Sequence, residues 1–194
     1  MTCFDIADLT IQAIAALATV LAVCVALYDS RQAKRMHDED LKRSQATKVS
    51  RWFEEAESCE QTPQDNRYVW KNVVLQNGSN APVYNVIVTC VGVQGAGPSA
   101  KGEDNGLDYP YRRCIGTLPP GRWRQWLPTG GGGMHVVLAP EVAFTDARGA
   151  SWVRRGNGTL EEIKRSLLPQ ALYKIANPAE WSGCRKENRS ASSE

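Results

Sequence analysis

One stretch near the N-terminus constrains this chain more than any other: residues 9–28, LTIQAIAALATVLAVCVALY, carry no charged side chain. Asp8 and Asp29 stand on its two sides. At about 1.5 Å per residue, a helix of this length spans roughly 30 Å, which is the thickness of the hydrocarbon core of a bilayer. Apolar residues would lie nearly all round such a helix rather than along one stripe. The stretch therefore predicts a transmembrane helix.

A secretory signal peptide and a buried core helix are the alternatives for this stretch. A signal peptide has a cationic start, a shorter apolar run and a cleavage site of small residues. The chain instead begins MTCFDIAD, with Asp5 and Asp8 and no Lys or Arg. A core helix would normally keep polar residues on one face, which this stretch does not. Both features favour the span.

The orientation of the span is predicted by the basic residues around it. Arg31, Lys34 and Arg35 follow it closely, whereas no Lys or Arg precedes it. Basic residues near a span are retained on the cytoplasmic side of the membrane. We therefore expect a single-pass protein of the cell membrane with its N-terminus outside and its C-terminal domain in the cytoplasm.

Charge and cysteine content limit the classes of partner and site. The net charge of +2 is too small to indicate a nucleic-acid partner. No two of the six cysteines form a C-x-x-C unit, so zinc-ribbon and thioredoxin motifs are absent from the sequence. A cytoplasmic domain predicts reduced thiols. Cys90 falls in a strand pattern and is expected to be a small buried hydrophobe.

Residues 29–47 predict a helical stalk that continues the span. The segment contains no Gly or Pro and many good helix formers. Its apolar positions do not hold a heptad register over the repeats that a coiled coil needs. A solvated stalk is therefore favoured, and a homodimer through a short helix pair remains open.

From residue 48 the pattern changes to short runs of β-branched and aromatic residues separated by Gly and Pro. Residues 48–54 fit either a helix end or a strand. The alternation of apolar and polar residues predicts strands over 68–76, 83–93, 112–118, 122–127, 135–139, 141–146 and 150–154.

The connections between these strands predict how they pair. The turn residues of 77–82 predict an antiparallel pair of the two strands that they join, and residues 94–111 predict a long exposed loop. Phe144 and Trp152 are expected to be cross-strand partners. Short strands with turns and no helices between them indicate an antiparallel β-sandwich.

The C-terminal part predicts one more helix and a tail. Thr159, followed three residues later by Glu162, resembles a capping box that opens a helix over 160–168, which Pro169 would end. The predicted organisation is an extracytoplasmic N-terminus, a span, a stalk, a β-sandwich, a C-terminal helix and a disordered tail, over 1–8, 9–28, 29–47, 48–158, 159–176 and 177–194.

Three segments carry a resemblance to a known group of proteins: residues 77–86, NGSNAPVYNV; residues 118–121, LPPG; and residues 142–163, VAFTDARGASWVRRGNGTLEEI. Together with the N-terminal span they resemble uncharacterised single-span membrane proteins common in high-GC Gram-positive bacteria. The resemblance implies a cytoplasmic immunoglobulin-like β-domain tethered to the membrane. No catalytic residues come with it.

Catalytic and cofactor chemistry finds little support in the sequence. The histidines, His37 and His135, do not form a metal motif. The glycines of 130–133 lead into a strand rather than a helix, so they do not match a phosphate-binding loop. Glu141 and Asp146 form a conceivable carboxylate pair, but Asp146 occupies a favoured turn position. We therefore predict no catalytic residue, no cofactor and no metal site, and a protein that is not an enzyme.

One constellation is a candidate interaction surface: Arg122, Trp123, Arg124 and Trp126. Alternating Arg and Trp would place a basic and aromatic face outside the sheet, where it would bind an acidic partner or lipid headgroups. The alternative is that one Trp lies in the core and the arginines are solvated.

These features favour a membrane-anchored, non-enzymatic protein whose cytoplasmic β-sandwich binds an unknown protein partner. The lipid bilayer is the partner of residues 9–28. The alternative is a membrane-surface or small-anion-sensing module that uses the strand of Arg122 and Trp126.

Overall fold

A computed structural model describes residues 3–54, 63, 67–106, 108–130, 135–164, 168–175 and 185–186. Within these ranges, only the backbone is described for residues 3–18, 35, 37, 39, 41, 42, 185 and 186. The chain divides into two compact units, Met1–Arg43 and Ser44–Glu194. The described residues are mainly β, with antiparallel sheets.

The first unit lies in one helix, α1, which runs over Cys3–Ala46 and continues into the first residues of the second unit. Its 44 residues contain neither Gly nor Pro, so nothing in the backbone interrupts the helix. The described side chains between Val20 and Tyr28 are exposed, including large apolar ones. Among the described parts of the chain, no helix meets the length and apolarity needed to cross a membrane. The span over 9–28 stays a prediction.

The second unit consists of nine strands and one short helix among the described residues. The strands are β1 (Val49–Glu54), β2 (Val69–Asn77), β3 (Val83–Gln94), β4 (Arg112–Leu118), β5 (Gly121–Thr129), β6 (Val137–Thr145), β7 (Ser151–Arg154), β8 (Leu160–Glu162) and β9 (Arg185–Lys186). The helix is α2 (Pro169–Leu172), and a single 3₁₀ turn covers Gly102–Asp104.

These strands form two antiparallel sheets. Sheet A has the order β1-β2-β5-β9, and sheet B has the order β4-β3-β6-β7-β8. The sequence of residues 48–54 fitted either a helix end or a strand, and the structure forms strand β1 from Val49 to Glu54. Every pairing in both sheets is antiparallel.

The two sheets share one hydrophobic core. Val73, Leu75 and Leu127 of sheet A and Val86 and Val88 of sheet B belong to the same buried cluster. Residues two apart on a strand point to the same face, which is why alternate residues of β2 and β3 enter this core. Burying such side chains stabilises the fold by about 25 cal/mol for each Å² of apolar surface removed from water.

Phe144 and Trp152 lie at the centre of this core. They stand directly opposite each other on β6 and β7, as predicted, and both are almost fully buried. Cys90 is also buried in this core, as predicted, and burial raises the pKa of its thiol to about 12.

The other face of sheet B is covered as well. Ile87, Cys114, Ala143 and Val153 point away from the main core and form a second buried cluster with Ile163 and Tyr173. Ile163 and Tyr173, which follow β8, therefore pack across sheet B. This packing closes that face to solvent.

The predicted pairing of 68–76 with 83–93 is wrong. These segments form β2 and β3, which lie in different sheets. The turn between them is held by the Asn77 amide, whose nitrogen donates to the carbonyls of Ala81 at 2.9 Å and Leu118 at 3.1 Å. A short turn between alternating strands fits both a hairpin and a crossing between sheets, so the pattern does not distinguish them.

The predicted helix over 160–168 is also wrong where the structure describes it. Residues 160–162 form strand β8, and Pro169 begins α2 instead of ending a helix. The Thr159 hydroxyl donates to the Asn157 side chain at 2.8 Å, so it serves a turn and not a helix cap. The Asn157–Gly158 pair, with φ of +95° at the glycine, is a hairpin signal that outweighs the capping box.

Two further expectations need correction. The segment 94–111 is not exposed throughout, because Gly102 is buried. The tail from residue 177 was expected to be disordered, but Arg185–Lys186 form strand β9; the rest of that tail lies outside the described residues.

Candidate functional site

The outer face of sheet A, away from the shared core, presents three rows of side chains. The register of β1, β2 and β5 places these rows as Ser50–Gln76–Arg122, Trp52–Val74–Arg124 and Glu54–Asn72–Trp126. We call these nine residues the outer face. Alternation along each strand separates them from the neighbours that enter the core.

A buried apolar side chain lies beneath the charged groups of the outer face. Val74 is fully buried, although it does not belong to the shared core. Its cross-strand neighbours on this face are Trp52 and Arg124, both of them half-buried. Large aromatic and arginine side chains thus cover the middle of the sheet while keeping part of their surface in solvent.

The two arginines of this face interact with one carboxylate and one aromatic ring. The Glu54 Oε1 accepts a hydrogen bond from Arg122 at 3.0 Å, and its Oε2 forms an ion pair with Arg124 at 2.9 Å. The Arg122 guanidinium lies 5.0 Å from the centroid of the Trp52 ring, which is a cation–π distance. The carboxylate of Glu54 is thus shared by two arginines of this face.

The structure brings three of the four predicted surface residues together. Arg122, Arg124 and Trp126 point to the outer face, whereas Trp123 packs against the shared core. The Trp123 indole N–H donates to the Pro119 carbonyl at 3.0 Å. The strand period of two explains this division, because Trp123 is the odd position among the four.

The three predicted topology-setting residues, Arg31, Lys34 and Arg35, lie in α1. The side chains of Arg31 and Lys34 are exposed.

A second polar cluster lies at the covered face of sheet B, and the sequence did not predict it. Its members share ion pairs or hydrogen bonds around one carboxylate, and we call them the Glu141 cluster: Glu103, Arg112, Glu141, Arg155, Glu161 and Tyr173.

Glu141 is the centre of the cluster and is fully buried. Its Oε1 accepts from the Gly102 backbone at 3.0 Å and from the Tyr173 hydroxyl at 2.8 Å. Its Oε2 accepts from Arg155 at 3.3 Å. Burial raises the pKa of Glu141 despite these donors. A Cβ on residue 102 would lie 2.5 Å from Oε1, so only glycine permits this approach.

Arg155 joins the cluster to the β7–β8 hairpin and the 3₁₀ turn. It pairs with Glu103 at 2.5 Å and with Glu161 at 3.0 Å, besides Glu141. Burial opposes the charge of Arg155, but the hydrogen bonds that it donates to these carboxylates outweigh it and raise its pKa. Arg112 adds a bond to the Gly102 carbonyl at 3.0 Å.

The centre of the Glu141 cluster is closed to solvent, and this limits the reactions that the cluster could catalyse. A buried carboxylate with a raised pKa is a common feature of catalytic acids and bases. Here, however, both oxygens of Glu141 accept hydrogen bonds from the protein, and neither reaches solvent. The neighbouring cavity, lined by Arg155, Glu161 and Lys101 among others, measures about 270 Å³, below the usual range of about 300–1,000 Å³ for ligand pockets. The Glu141 cluster therefore fits a structural role, in which its ion pairs and hydrogen bonds hold the 3₁₀ turn, β6 and the β7–β8 hairpin together. We call this arrangement the clamp.

The clamp predicts how stability depends on pH. Burial opposes ionisation of Glu103, but the hydrogen bond from Arg155 and further favourable interactions outweigh it, so its pKa is lowered. A lowered folded-state pKa contributes stability above the unfolded value of about 4.3, and this stability is lost as pH falls through the folded pKa. We expect Glu103→Gln to be less stable than the wild type near pH 7 and the difference to shrink towards about pH 3.

Urea unfolding of both proteins across this pH range measures that difference. Both chains retain Glu141, whose raised pKa favours the folded state at low pH, so comparing them removes most of this opposite contribution. A difference that is constant with pH would contradict the assignment of the Glu103–Arg155 pair.

The sequence contained a signal for Glu141 that was interpreted differently. Glu141 stands in an otherwise apolar strand, between Pro140 and Val142. It was considered only as a partner of Asp146, which instead accepts from the Trp152 indole at 2.8 Å and holds a turn. A charged residue inside an apolar strand is unusual and indicates a buried ion pair. Its partners come from segments far apart in sequence.

The described residues were also considered as a possible metal site. In the parts of the chain that the structure describes, no three His, Cys, Asp or Glu side chains come together in a way that would hold a metal ion. Of the two histidines, His135 is exposed just before β6, and the side chain of His37 lies outside the described ones.

Comparisons with family models, curated protein sequences and solved structures find no match to the chain.

Proposed function

We propose that this protein is a membrane-anchored, non-enzymatic interaction module whose β-domain, an immunoglobulin-like sandwich, binds a protein partner through the outer face of sheet A. The observation that carries the proposal is the set of exposed Arg122 and half-buried Arg124, Trp52 and Trp126 above the buried Val74. Trp and Arg dominate the binding energy of protein interfaces. A rigid sheet presents them in a fixed arrangement.

The contrast between the two polar sites supports binding over catalysis. The Glu141 cluster is closed, and its carboxylate oxygens are engaged by the protein itself. The outer face is accessible at Gln76 and Arg122 and carries two arginines around Glu54. An accessible face with arginines above aromatic rings suits association with another macromolecule.

The tether is part of the same proposal. Residues 9–28 carry no charge, and large apolar side chains such as Val20, Leu21 and Val25 are more than half exposed in α1. Such a surface is costly in water. We place it in the cell membrane, with Arg31, Lys34 and Arg35 on the cytoplasmic side.

The alternative is that the outer face binds anionic lipid headgroups or a small anion. Arg122 and Trp126 would suit a membrane interface, where tryptophan and cationic residues are enriched. The two functions differ in what the charge of this face recognises, and they are separated by the experiment below.

The experiment is affinity isolation of the full-length chain, extracted in mild detergent from its host cells. We expect a specific protein to copurify with the wild type, and Arg122→Glu with Arg124→Glu to lose it, because both cationic groups of the face are reversed. The matched control is Arg148→Glu, an exposed position in the β6–β7 turn, which should retain the partner.

The outcomes separate the two functions. All variants should keep the wild-type circular dichroism spectrum and urea midpoint. A partner that copurifies equally with the reversed variant contradicts a role for the outer face. If no partner is found and vesicles of anionic lipid reduce the proteolysis of the wild-type domain but not of the reversed variant, the lipid alternative replaces the proposal.

A further inference from the structure

A small cavity lies next to the Glu141 cluster, between the end of β3, the residues before the 3₁₀ turn and the β7–β8 hairpin. Its volume of about 270 Å³ is too small for a drug-sized ligand but sufficient for a small metabolite. Its lining includes Val93, Ala100, Lys101, Gly156, Asn157 and Glu161.

The elements around this cavity are held in place by contacts within the protein. Arg155, which also lines the cavity, pairs with Glu103 of the 3₁₀ turn at 2.5 Å and with Glu161 of the hairpin at 3.0 Å. Gly156 lets the hairpin pack closely on β3, because a Cβ at this position would lie 2.7 Å from Cγ2 of Val91. A pre-formed site reduces the cost of ordering that binding otherwise carries.

Three polar groups of the lining residues make no hydrogen bond or ion pair in the described part of the chain. One is the ammonium group of Lys101, a residue that is exposed. Asn157 accepts from the Thr159 N–H at 3.0 Å and from its hydroxyl at 2.8 Å with Oδ1, so its Nδ2 remains a donor. Glu161 pairs with Arg155 through Oε2, so its Oε1 remains an acceptor.

These three groups are complementary to the two charged ends of a zwitterion. The Lys101 ammonium and the Asn157 amide donate hydrogen bonds, as a carboxylate requires, whereas the Glu161 oxygen accepts one, as an ammonium group requires. Hydrogen bonds in which one or both groups are charged are stronger than neutral ones.

The rest of the lining suits a short apolar side chain. Val93 is 50% exposed although it is apolar, and Ala100 beside the cavity is exposed as well. An apolar group of the ligand would remove this surface from water. At about 30 Å³ for each non-hydrogen atom, the share of one water molecule in the liquid, the cavity takes a ligand of roughly nine such atoms.

We propose that this cavity binds a free α-amino acid with a short apolar side chain. The carboxylate of the ligand accepts from Lys101 and Asn157, its ammonium group donates to Glu161, and its side chain covers Val93 and Ala100. The site lies among elements of sheet B, so this inference goes beyond the protein-binding role proposed for the outer face of sheet A.

Isothermal titration calorimetry of the full-length chain in detergent micelles tests the proposal with three probes of similar shape. They are L-valine, 3-methylbutanoate, which lacks the ammonium group, and isobutylamine, which lacks the carboxylate. We expect L-valine to bind at least about tenfold more tightly than either of the others, because each of them loses a charge-assisted contact.

Two variants locate the bound ligand in the cavity. Lys101→Gln removes the charge that meets the carboxylate, and Asn157→Asp keeps the oxygen that accepts from Thr159 but replaces the donor with a negative group. We expect each to weaken the binding of L-valine at least about fivefold. The matched control is Lys164→Gln, an exposed position just after β8, which should bind L-valine as the wild type does. All variants should keep the wild-type circular dichroism spectrum.

Three outcomes would overturn the proposal. The first is no binding of L-valine up to about 10 mM, a tenfold excess over a weak dissociation constant of about 1 mM. The second is equal affinity for L-valine and 3-methylbutanoate, which rules out the contact with Glu161 and so a zwitterionic ligand. The third is unchanged affinity in both variants, which places L-valine elsewhere on the protein. None of these results bears on the outer face, whose role is tested by copurification.

Discussion

Replacement of Trp152 by alanine is expected to lower the free energy of unfolding by about 3–5 kcal/mol, the range for removal of a large aromatic side chain from a core. Trp152 is 1% exposed and lies opposite Phe144 in the core shared by both sheets. Alanine would leave a cavity between the sheets. Urea unfolding of the full-length chain, followed by circular dichroism, measures the loss.

Trp152→Phe is the control that separates packing from hydrogen bonding. Phenylalanine keeps most of the apolar volume but loses the indole N–H that donates to Asp146 at 2.8 Å. Losing that partner should cost about 1–3 kcal/mol, so Phe should be less damaging than Ala. Equal losses for both variants would contradict packing as the main contribution of Trp152.

Glu141→Ala is the second change with a large expected effect, a loss of about 3 kcal/mol or more. It leaves two buried donors, the Gly102 N–H and the Tyr173 hydroxyl, without their acceptor. Each orphaned buried group costs about 1–3 kcal/mol. The same unfolding measurement applies.

Glu141→Gln is the matched control for this prediction. Burial raises the pKa of Glu141 and so disfavours its charged form, and a neutral amide keeps an oxygen for the same two donors. We expect Gln to cost much less than Ala, about 1 kcal/mol. If Gln destabilises as much as Ala, the charge of Glu141 dominates the clamp and its hydrogen bonds do not.

Sequence patterns located most of the strands because their cause is local. Alternation of apolar and polar residues placed β2, β3 and β4 within a residue or two of their observed bounds. The same period of two explains why Val86 and Val88 lie on one face of β3 and Ile87 on the other. The pairing of Phe144 with Trp152 followed from the short turn between their strands.

The same patterns did not predict which consecutive strands pair within one sheet and which lie in different sheets. The turns at 77–82 and 119–120 each join two strands, as a hairpin would, yet each crosses from one sheet to the other. Which of these happens depends on distant contacts, such as the bond from the Asn77 amide to the Leu118 carbonyl. No local signal contains that information.

The candidate surface was predicted in part for a similar reason. The arginines and tryptophans of β5 were found because they are adjacent in sequence. Their partners on the outer face, Trp52 and Glu54, belong to a strand far away in sequence whose identity was left open. The Glu141 cluster was missed because Glu103, Arg155 and Tyr173 meet only after both sheets and the chain beyond β8 are in place.

Photo-cross-linking from the outer face tests the central claim most directly. A benzophenone amino acid in place of Gln76, which is exposed beside Arg122 on this face, is introduced into the full-length chain in its host cells. The control site is Tyr84 on β3, which is 42% exposed. We predict a light-dependent adduct with a protein from position 76, none from position 84, and loss of the adduct when Arg122→Glu is added. Adducts of equal yield from both positions, or no protein adduct from position 76, would contradict the outer face of sheet A as a protein-binding surface.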